Sequence, residues 1–206
     1  MAITTKPMTE KQLAEYVATY SDVFADWSFS PNLHYFRVNG PILQQIWFEN
    51  LKSGAYRPAS GLRILVAPDS KMLHQFLDIK NREILPREHL SAFTRVVEAM
   101  NEQFVPAIRK PLDPVEVCIL CEKSASHRIN DAYTISAFYA YLGNEGKAFE
   151  WLDILDELTV IRKDDLLDWE RDRLEFGIRL RESLNANGSQ EFLESILSNE
   201  RRRLLS

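Results

Sequence analysis

Cys118 and Cys121, separated by two residues, form the one short motif of this chain whose spacing has known chemistry. A zinc site needs four ligands, and His127 and His89 are the nearest histidines in sequence. A thioredoxin-type site needs a strand before the motif and a helix that opens at it, whereas Asp113-Pro114-Val115-Glu116 starts a helix earlier. The surrounding VCILC is apolar, which favours buried structural cysteines. We therefore expect no cofactor and keep Cys118, Cys121 and His127 as weak metal candidates.

Catalytic motifs of the common hydrolases and nucleotide-binding enzymes are missing from the sequence. The four histidines are scattered, and no HExxH, GxSxG, GxxxxGK[ST] or GxGxxG pattern occurs. An enzyme is still an alternative if its site is assembled from dispersed residues around a sheet, such as His34, Tyr35, Arg37 and Arg63. The chain is more simply interpreted as a non-catalytic protein.

Acidic residues are concentrated in residues 144–175, which hold eleven acids and five bases. This segment therefore has a net charge of −6, whereas the whole chain has a net charge of −5. Such a field disfavours nucleic acid and favours a basic protein partner. A solvated helical face is the simpler alternative, and a hard-metal site would need oxygens from several elements. The acids predicted to bind a partner share one helix face or open the next helix: Glu150, Asp153, Glu157, Asp164, Asp165 and Asp168.

Trp47, Tyr56 and Arg57 are three further candidates for partner contact. They lie in or next to a predicted hairpin, and their residue types are enriched in binding hot spots. The same residue types also serve in the core or at the edge of a small sheet, so both interpretations stay open.

The first part of the chain is predicted to hold a helix and a small antiparallel sheet. Thr9 and Gln12 form a capping-box pattern before a helical apolar period that runs to about residue 24. Asn39-Gly40 predicts a two-residue turn that pairs Val38 with Pro41 and gives a hairpin with apolar residues on both faces. A third strand is expected over Leu62–Pro68 in a meander, and residues 71–79 as a short helix.

The rest of the chain is predicted to be helical, because no proline follows Pro114. Helices are expected at 87–104, 114–123, 129–142, 146–158, 164–184 and 189–203, with a break at Asn187-Gly188. The fold class is therefore α+β: an N-terminal helix and three or four antiparallel strands, followed by a bundle of helical hairpins. The organisation is expected to be residues 1–110 and 111–206 around one shared core.

Residues 132–155 resemble a single tetratricopeptide repeat. Ile135, Ser136, Tyr139, Gly143 and Ala148, with Leu152, fall at spacings typical of the family's helix–helix contacts. Leu155 and Val160 stand where the family has a later alanine and a proline, and no second copy occurs 34 residues away. The resemblance implies an antiparallel helical hairpin, and Gly143 suits its left-handed helix end.

The N-terminal half is similar in general pattern to small bacterial domains, several of which are immunity proteins to toxins. Together with the acidic stretch, this favours a cytoplasmic protein-binding module, in its most concrete form a toxin-neutralising protein with a basic partner. No secretory signal or membrane-spanning segment is expected. A structural or dimerisation protein is the other alternative, and it predicts an apolar patch at Phe192, Ile196, Leu204 and Leu205. The sequence leaves the oligomeric state open.

Overall fold

The computed structural model describes residues 9, 11, 24–30, 34–51, 54–77, 83–85, 88–161 and 165–205. The predicted N-terminal helix lies almost entirely outside these residues, and Asp164 lies outside them too. Within them, no helix has the length and apolar character needed to cross a membrane.

Five antiparallel strands form one sheet in the order β1-β2-β3-β4-β5, so the predicted meander is confirmed. The strands are β1 (Ser28–Ser30), β2 (His34–Asn39), β3 (Ile42–Asn50), β4 (Tyr56–Ile64) and β5 (Leu73–Phe76). Each pairs with its neighbour along the chain because short connections favour adjacent antiparallel strands. The α+β class is therefore correct, whereas the expected number of strands was too low.

Two strands differ from their predicted positions. β4 begins at Tyr56, six residues before the predicted start, and includes Pro58. Proline has no backbone N–H group to donate to a neighbouring strand. It is tolerated at position 58 because β5 pairs only with Ala59 to Leu62 and so does not pair with Pro58. The predicted helix over 71–79 is wrong, because residues 73–76 form β5 and pairing to β4 overrides local preference.

The hairpin turn lies one residue later than predicted. Asn39 belongs to β2, and the turn residues are Gly40, which has a positive φ of 53°, and Pro41. Because a two-residue loop brings its flanking residues opposite each other, Arg37 lies opposite Gln44. Their side chains are hydrogen bonded, with 2.7 Å between Arg37 Nε and Gln44 Oε1. The predicted pairing of Val38 with Pro41 is therefore wrong.

Six helices follow the sheet in the described residues, close to the predicted ranges. They are α1 (His89–Gln103), α2 (Pro114–Lys123), α3 (Ile129–Tyr141), α4 (Glu145–Ile161), α5 (Asp168–Asn185) and α6 (Ser189–Leu205). The start of α2 is as predicted, since Asp113 accepts hydrogen bonds from the backbone N–H groups of Val115 (2.8 Å) and Glu116 (3.4 Å).

The chain divides into two compact units. The first unit holds the described residues of Met1–Val38, Leu43–Leu62 and Leu73–Leu112, and the second holds Asn39–Ile42, Arg63–Met72 and Asp113–Ser206. The second unit thus combines the β2–β3 turn and the segment after β4 with the helices from Asp113 onward. The expected division at residue 110 and the single shared core stay predictions.

The core of the first unit lies between one sheet face and α1. Ile46, Phe48 and Tyr56 of the sheet pack with Val97 and Met100 of the helix, and all five side chains are buried. Val97 and Met100 lie in the helix predicted over 87–104, and buried Phe104 caps its C-terminal end. Together they fix α1 and the segment after it against the sheet.

The second unit is built around α3, which contacts α2, α4, α5 and α6. Residues 132–140 of α3 are all buried. Gly143, with a φ of 75°, ends α3 as predicted, and Asn144 donates its backbone N–H to the Tyr139 carbonyl at 2.9 Å. The Asn144 side chain then caps α4 through the N–H of Lys147. The pair α3 and α4 is therefore a tight helical hairpin.

Candidate functional site

The acidic residues predicted to bind a partner lie on α4 and at the start of α5. Glu150, Asp153 and Glu157 are exposed on α4, and Asp165 and Asp168 are exposed before and at the first turn of α5. Asp164 lies outside the described residues. The helices therefore present five of the six predicted acids to solvent.

Part of this acidic face is neutralised by neighbouring bases. Arg181 Nη2 of α5 lies 2.9 Å from Asp153 Oδ1 and 2.8 Å from Asp156 Oδ2. Lys147 pairs with Glu150 at 2.9 Å. Because these ion pairs are largely exposed, each contributes little to stability, but together they reduce the negative field along the middle of α4. Glu157, near the end of α4, is not a member of these pairs.

Large apolar side chains are exposed at that same end. Val160 and Ile161 close α4 with 71% and 80% of their surface exposed, and Leu167 and Trp169 flank the start of α5 at 54% and 44%. Four of the nine large apolar residues that are exposed in the described part of the chain thus fall within ten positions. Clustered apolar exposure on a folded protein is typical of an interaction site.

We name these residues the acidic–apolar surface: Glu157, Val160, Ile161, Asp165, Leu167, Asp168 and Trp169. Its acids were predicted from the sequence as partner-binding residues, whereas its apolar residues were not. A signal was present, because Val160 and Ile161 fall outside the stripe of Trp151, Leu152 and Leu155 that α4 buries. Apolar residues that lie outside the buried stripe and next to acids in the sequence are typical of a surface that contacts a partner.

The aromatic candidates of the sheet divide between core and surface. Tyr56 is fully buried beside Phe48, so it serves in the first unit's core and is not accessible to a partner. Trp47 is half-buried and contacts the His74 ring edge-on, with 5.4 Å between ring centroids. Glu49 joins Trp47 to Arg57, accepting from the indole at 3.3 Å and from Arg57 Nε at 2.6 Å. Trp47 and Arg57 therefore form part of a polar cluster on the second sheet face.

Cys118 and Cys121 are both buried in α2 and are not disulfide bonded. Burial raises the pKa of each thiol to about 12, so neither is a thiolate at neutral pH. His127 stacks on Trp151, with 5.5 Å between ring centroids. The described residues contain no group of three or more His, Cys, Asp or Glu side chains arranged to hold a metal ion. The cysteines are packing residues of the second unit.

Glu122 of α2 forms a cluster that sequence reasoning did not identify. Its carboxylate accepts hydrogen bonds from Tyr139 Oη of α3 at 2.7 Å and Trp151 Nε1 of α4 at 3.2 Å. Lys147 Nζ lies 3.5 Å away. The Tyr139 hydrogen bond, opposed by partial burial, lowers the pKa of Glu122. This carboxylate ties three helices together, a structural role for which residue spacing gives no signal.

The residues of the enzyme alternative divide between the two units. His34, Tyr35 and Arg37 belong to the first unit and Arg63 to the second. Tyr35 stacks on Phe24 with 4.6 Å between ring centroids. Arg37 lies 4.8 Å above the Trp27 ring and donates to the Ala107 carbonyl at 3.0 Å, and burial lowers the pKa of its guanidinium to about 10. The contacts described for Tyr35 and Arg37 are those of packing residues.

Comparison of the chain with protein-family models, with curated proteins and with solved structures gave no significant match.

Proposed function

We propose that this chain is a non-catalytic protein-binding module whose partner docks on the acidic–apolar surface. The observation that carries the proposal is the exposure of Val160, Ile161, Leu167 and Trp169 beside exposed acids at one end of the α4–α5 pair. Protein interfaces combine a desolvated apolar or aromatic centre with a polar rim, and this surface has both parts. Trp169 is of the residue type most often found in binding hot spots.

The charge of the surface supports a basic partner. Asp168, whose side chain is 99% exposed, contacts Arg171 at 3.3 Å, but both side chains are exposed and the pair is weak. Lys and Arg side chains of a partner would complement the rim and accelerate association at low salt. In its most concrete form the module is an immunity-type protein that neutralises a toxin with a basic surface.

The dimerisation alternative receives less support. Phe192 of its predicted patch contacts Phe176, with 5.6 Å between ring centroids. Ile196 and Leu204 are only partly exposed, and the side chain of Leu205 lies outside the described part of the chain. The described residues of α6 therefore contribute mainly to the packing of the second unit.

The experiment captures partners from the native host with the tagged full chain and measures affinity for the purified partner. Trp169→Ala is expected to weaken binding about 30-fold or more, the loss typical of a hot-spot residue. Reversal of Glu157, Asp165 and Asp168 to Lys is expected to slow association and remove its salt dependence. Asp153 is left unchanged because its reversal would also break the contact with Arg181.

Glu182→Lys provides the matched control, because this exposed acid lies on α5 away from the acidic–apolar surface. It changes the net charge locally and should leave affinity within about twofold of the native protein. If the triple reversal and Trp169→Ala capture the partner as well as the control does, the acidic–apolar surface is not the binding site.

A further inference from the structure

Residues 105–108, which follow α1, are attached to the first unit's sheet without forming a strand of it. Each of their four backbone carbonyls accepts a hydrogen bond from a different side chain. The pairs are Val105 with Gln75 Nε2, Pro106 with Gln44 Nε2 at 2.9 Å, Ala107 with Arg37 Nη2 at 3.0 Å, and Ile108 with Trp27 Nε1 at 3.4 Å. We name residues 105–108 the strap and the four donating side chains the donor row.

The donor row follows the order of the sheet. Its members come, in the order in which the strap meets them, from β5, β3, β2 and the residues before β1. The strap therefore crosses the strands. Two contacts also join the donors to each other, because Arg37 Nε donates to Gln44 Oε1 at 2.7 Å and the Arg37 guanidinium lies 4.8 Å from the Trp27 ring. The donor row is thus held partly by its own members.

The strap is attached to the sheet through side chains. In the described part of the chain its backbone–backbone hydrogen bonding is limited to one bond, from the Lys110 N–H to the Ala107 carbonyl at 3.1 Å. A strand is held by a ladder of bonds that it shares with the neighbouring backbone. The strap is held by individual side chains, which can leave it by rotation about their own bonds. Its release therefore breaks no strand pairing.

Both ends of the strap are exposed. Val105 is 51% exposed, and its N–H donates to Gln75 Oε1 at 2.7 Å in an exposed hydrogen bond. Beyond the other end, Arg109 pairs with Glu98 of α1 at 2.8 Å, and these side chains are 46% and 48% exposed. Exposed hydrogen bonds are a property of segments that open before the rest of a fold. Ile108, which is 1% exposed, anchors the strap in the first unit's core.

We propose that the strap is a latch, which opens and closes while the sheet and α1 stay folded. Opening withdraws Ile108 from the core and removes the acceptors of the donor row, but it leaves the strands paired. The open state releases the chain between α1 and Asp113, which is the connection from the first unit to the second. The latch lies in the first unit and the acidic–apolar surface in the second, so this inference does not depend on the proposed function.

The test is native-state hydrogen exchange of the full chain, followed by nuclear magnetic resonance at urea concentrations below the unfolding transition. The Val105 and Lys110 amides report on the strap, because both are hydrogen bonded when it is closed. The amides of β3 and β4 report on the sheet. The strap amides are expected to exchange faster and with a weaker dependence on urea, because opening the latch exposes less surface than unfolding does.

Ile46→Val and Ile108→Val are a matched pair of variants, because both isoleucines are buried in the same core. Loss of one methyl group should speed the affected exchange about two- to tenfold. Ile46 of β3 keeps its place when the latch opens, so Ile46→Val should speed the sheet amides and leave the strap amides unchanged. Ile108 leaves the core both when the latch opens and when the unit unfolds, so Ile108→Val should speed both sets.

Two results would overturn the proposal. The first is that the strap and sheet amides of the native chain share one opening free energy and one urea dependence. The second is that Ile46→Val, with native circular dichroism, speeds the strap amides as much as the sheet amides. Either result would mean that the strap opens only when the first unit unfolds.

Discussion

Removal of the Glu122 carboxylate should destabilise the second unit far more than removal of an exposed acid that contacts the same lysine. Glu122→Ala leaves Tyr139 Oη and Trp151 Nε1 without their acceptor, and these residues are only 8% and 5% exposed. Each buried donor left unpaired costs about 1–3 kcal/mol, so the loss should be about 2–4 kcal/mol.

The matched comparison is Glu150→Ala. Glu150 also pairs with Lys147, at 2.9 Å, but its side chain is 63% exposed. An exposed pair of this kind contributes little to stability, because solvent screens it. Urea titrations followed by far-ultraviolet circular dichroism should place the midpoint of Glu122→Ala well below those of Glu150→Ala and the native chain. In thermal scans the loss corresponds to roughly 5–15 °C.

The same carboxylate should make stability depend on pH in a defined direction. The Tyr139 hydrogen bond lowers the pKa of Glu122 from its ordinary value of 4.5, so the ionised form is favoured in the folded state. A group with a lowered folded pKa stabilises the protein above its unfolded pKa, and the contribution is lost as pH falls through the folded pKa. The difference in stability between the native chain and Glu122→Gln should therefore be largest at neutral pH and shrink below pH 4.5.

Equal midpoints for Glu122→Ala and Glu150→Ala would refute the reasoning, because the buried donors would then have found other acceptors. A difference between the native chain and Glu122→Gln that stays constant from pH 7 to about pH 3 would refute the electrostatic part alone.

Two further predictions concern packing in the second unit. A Cβ atom at Gly177 of α5 would lie 2.7 Å from a Leu155 methyl group, so Gly177→Ala should destabilise the protein by about 1–2 kcal/mol despite the better helix propensity of alanine. In the same urea titrations Gly146→Ala should be neutral or stabilising, because the atom nearest to its added Cβ is 4.0 Å away. Cys118 and Cys121 should resist a thiol reagent in the folded chain and react fully in urea, because both are buried and burial raises their pKa to about 12; fast labelling without denaturant would contradict this.

The helical part of the fold could be predicted because its signals are local. Asp113-Pro114 at the start of α2, Gly143 at the end of α3 and the Asn187-Gly188 break each act through a cap or a backbone conformation that the nearest residues determine. The sheet was harder to predict from the sequence, because β5 forms only through its pairing with β4. The register of β2 and β3 also depends on which of two adjacent positions begins the turn. Strand pairing is a contact between distant residues, which local patterns do not record.

The candidate sites show the same division between local and distant information. The acids of α4 and α5 could be identified from charge counts alone. The Glu122 cluster joins residues 122, 139 and 151. It depends on which helices are neighbours. Tyr56 shows the reverse case, because its residue type suited a hot spot and only its burial assigns it to the core.

The burial of α3 on every side has a consequence for synthesis of the chain. A ribosome releases the N-terminal part first, so α3 and its predecessor α2 emerge while α4, α5 and α6 are still to be made. About sixty further residues must follow before the last of the four neighbours is complete, and until then the apolar sides of α3 remain accessible to chaperones or to other nascent chains. The helix that contacts all the other helices of the second unit is therefore fully covered only after the last of them has been made.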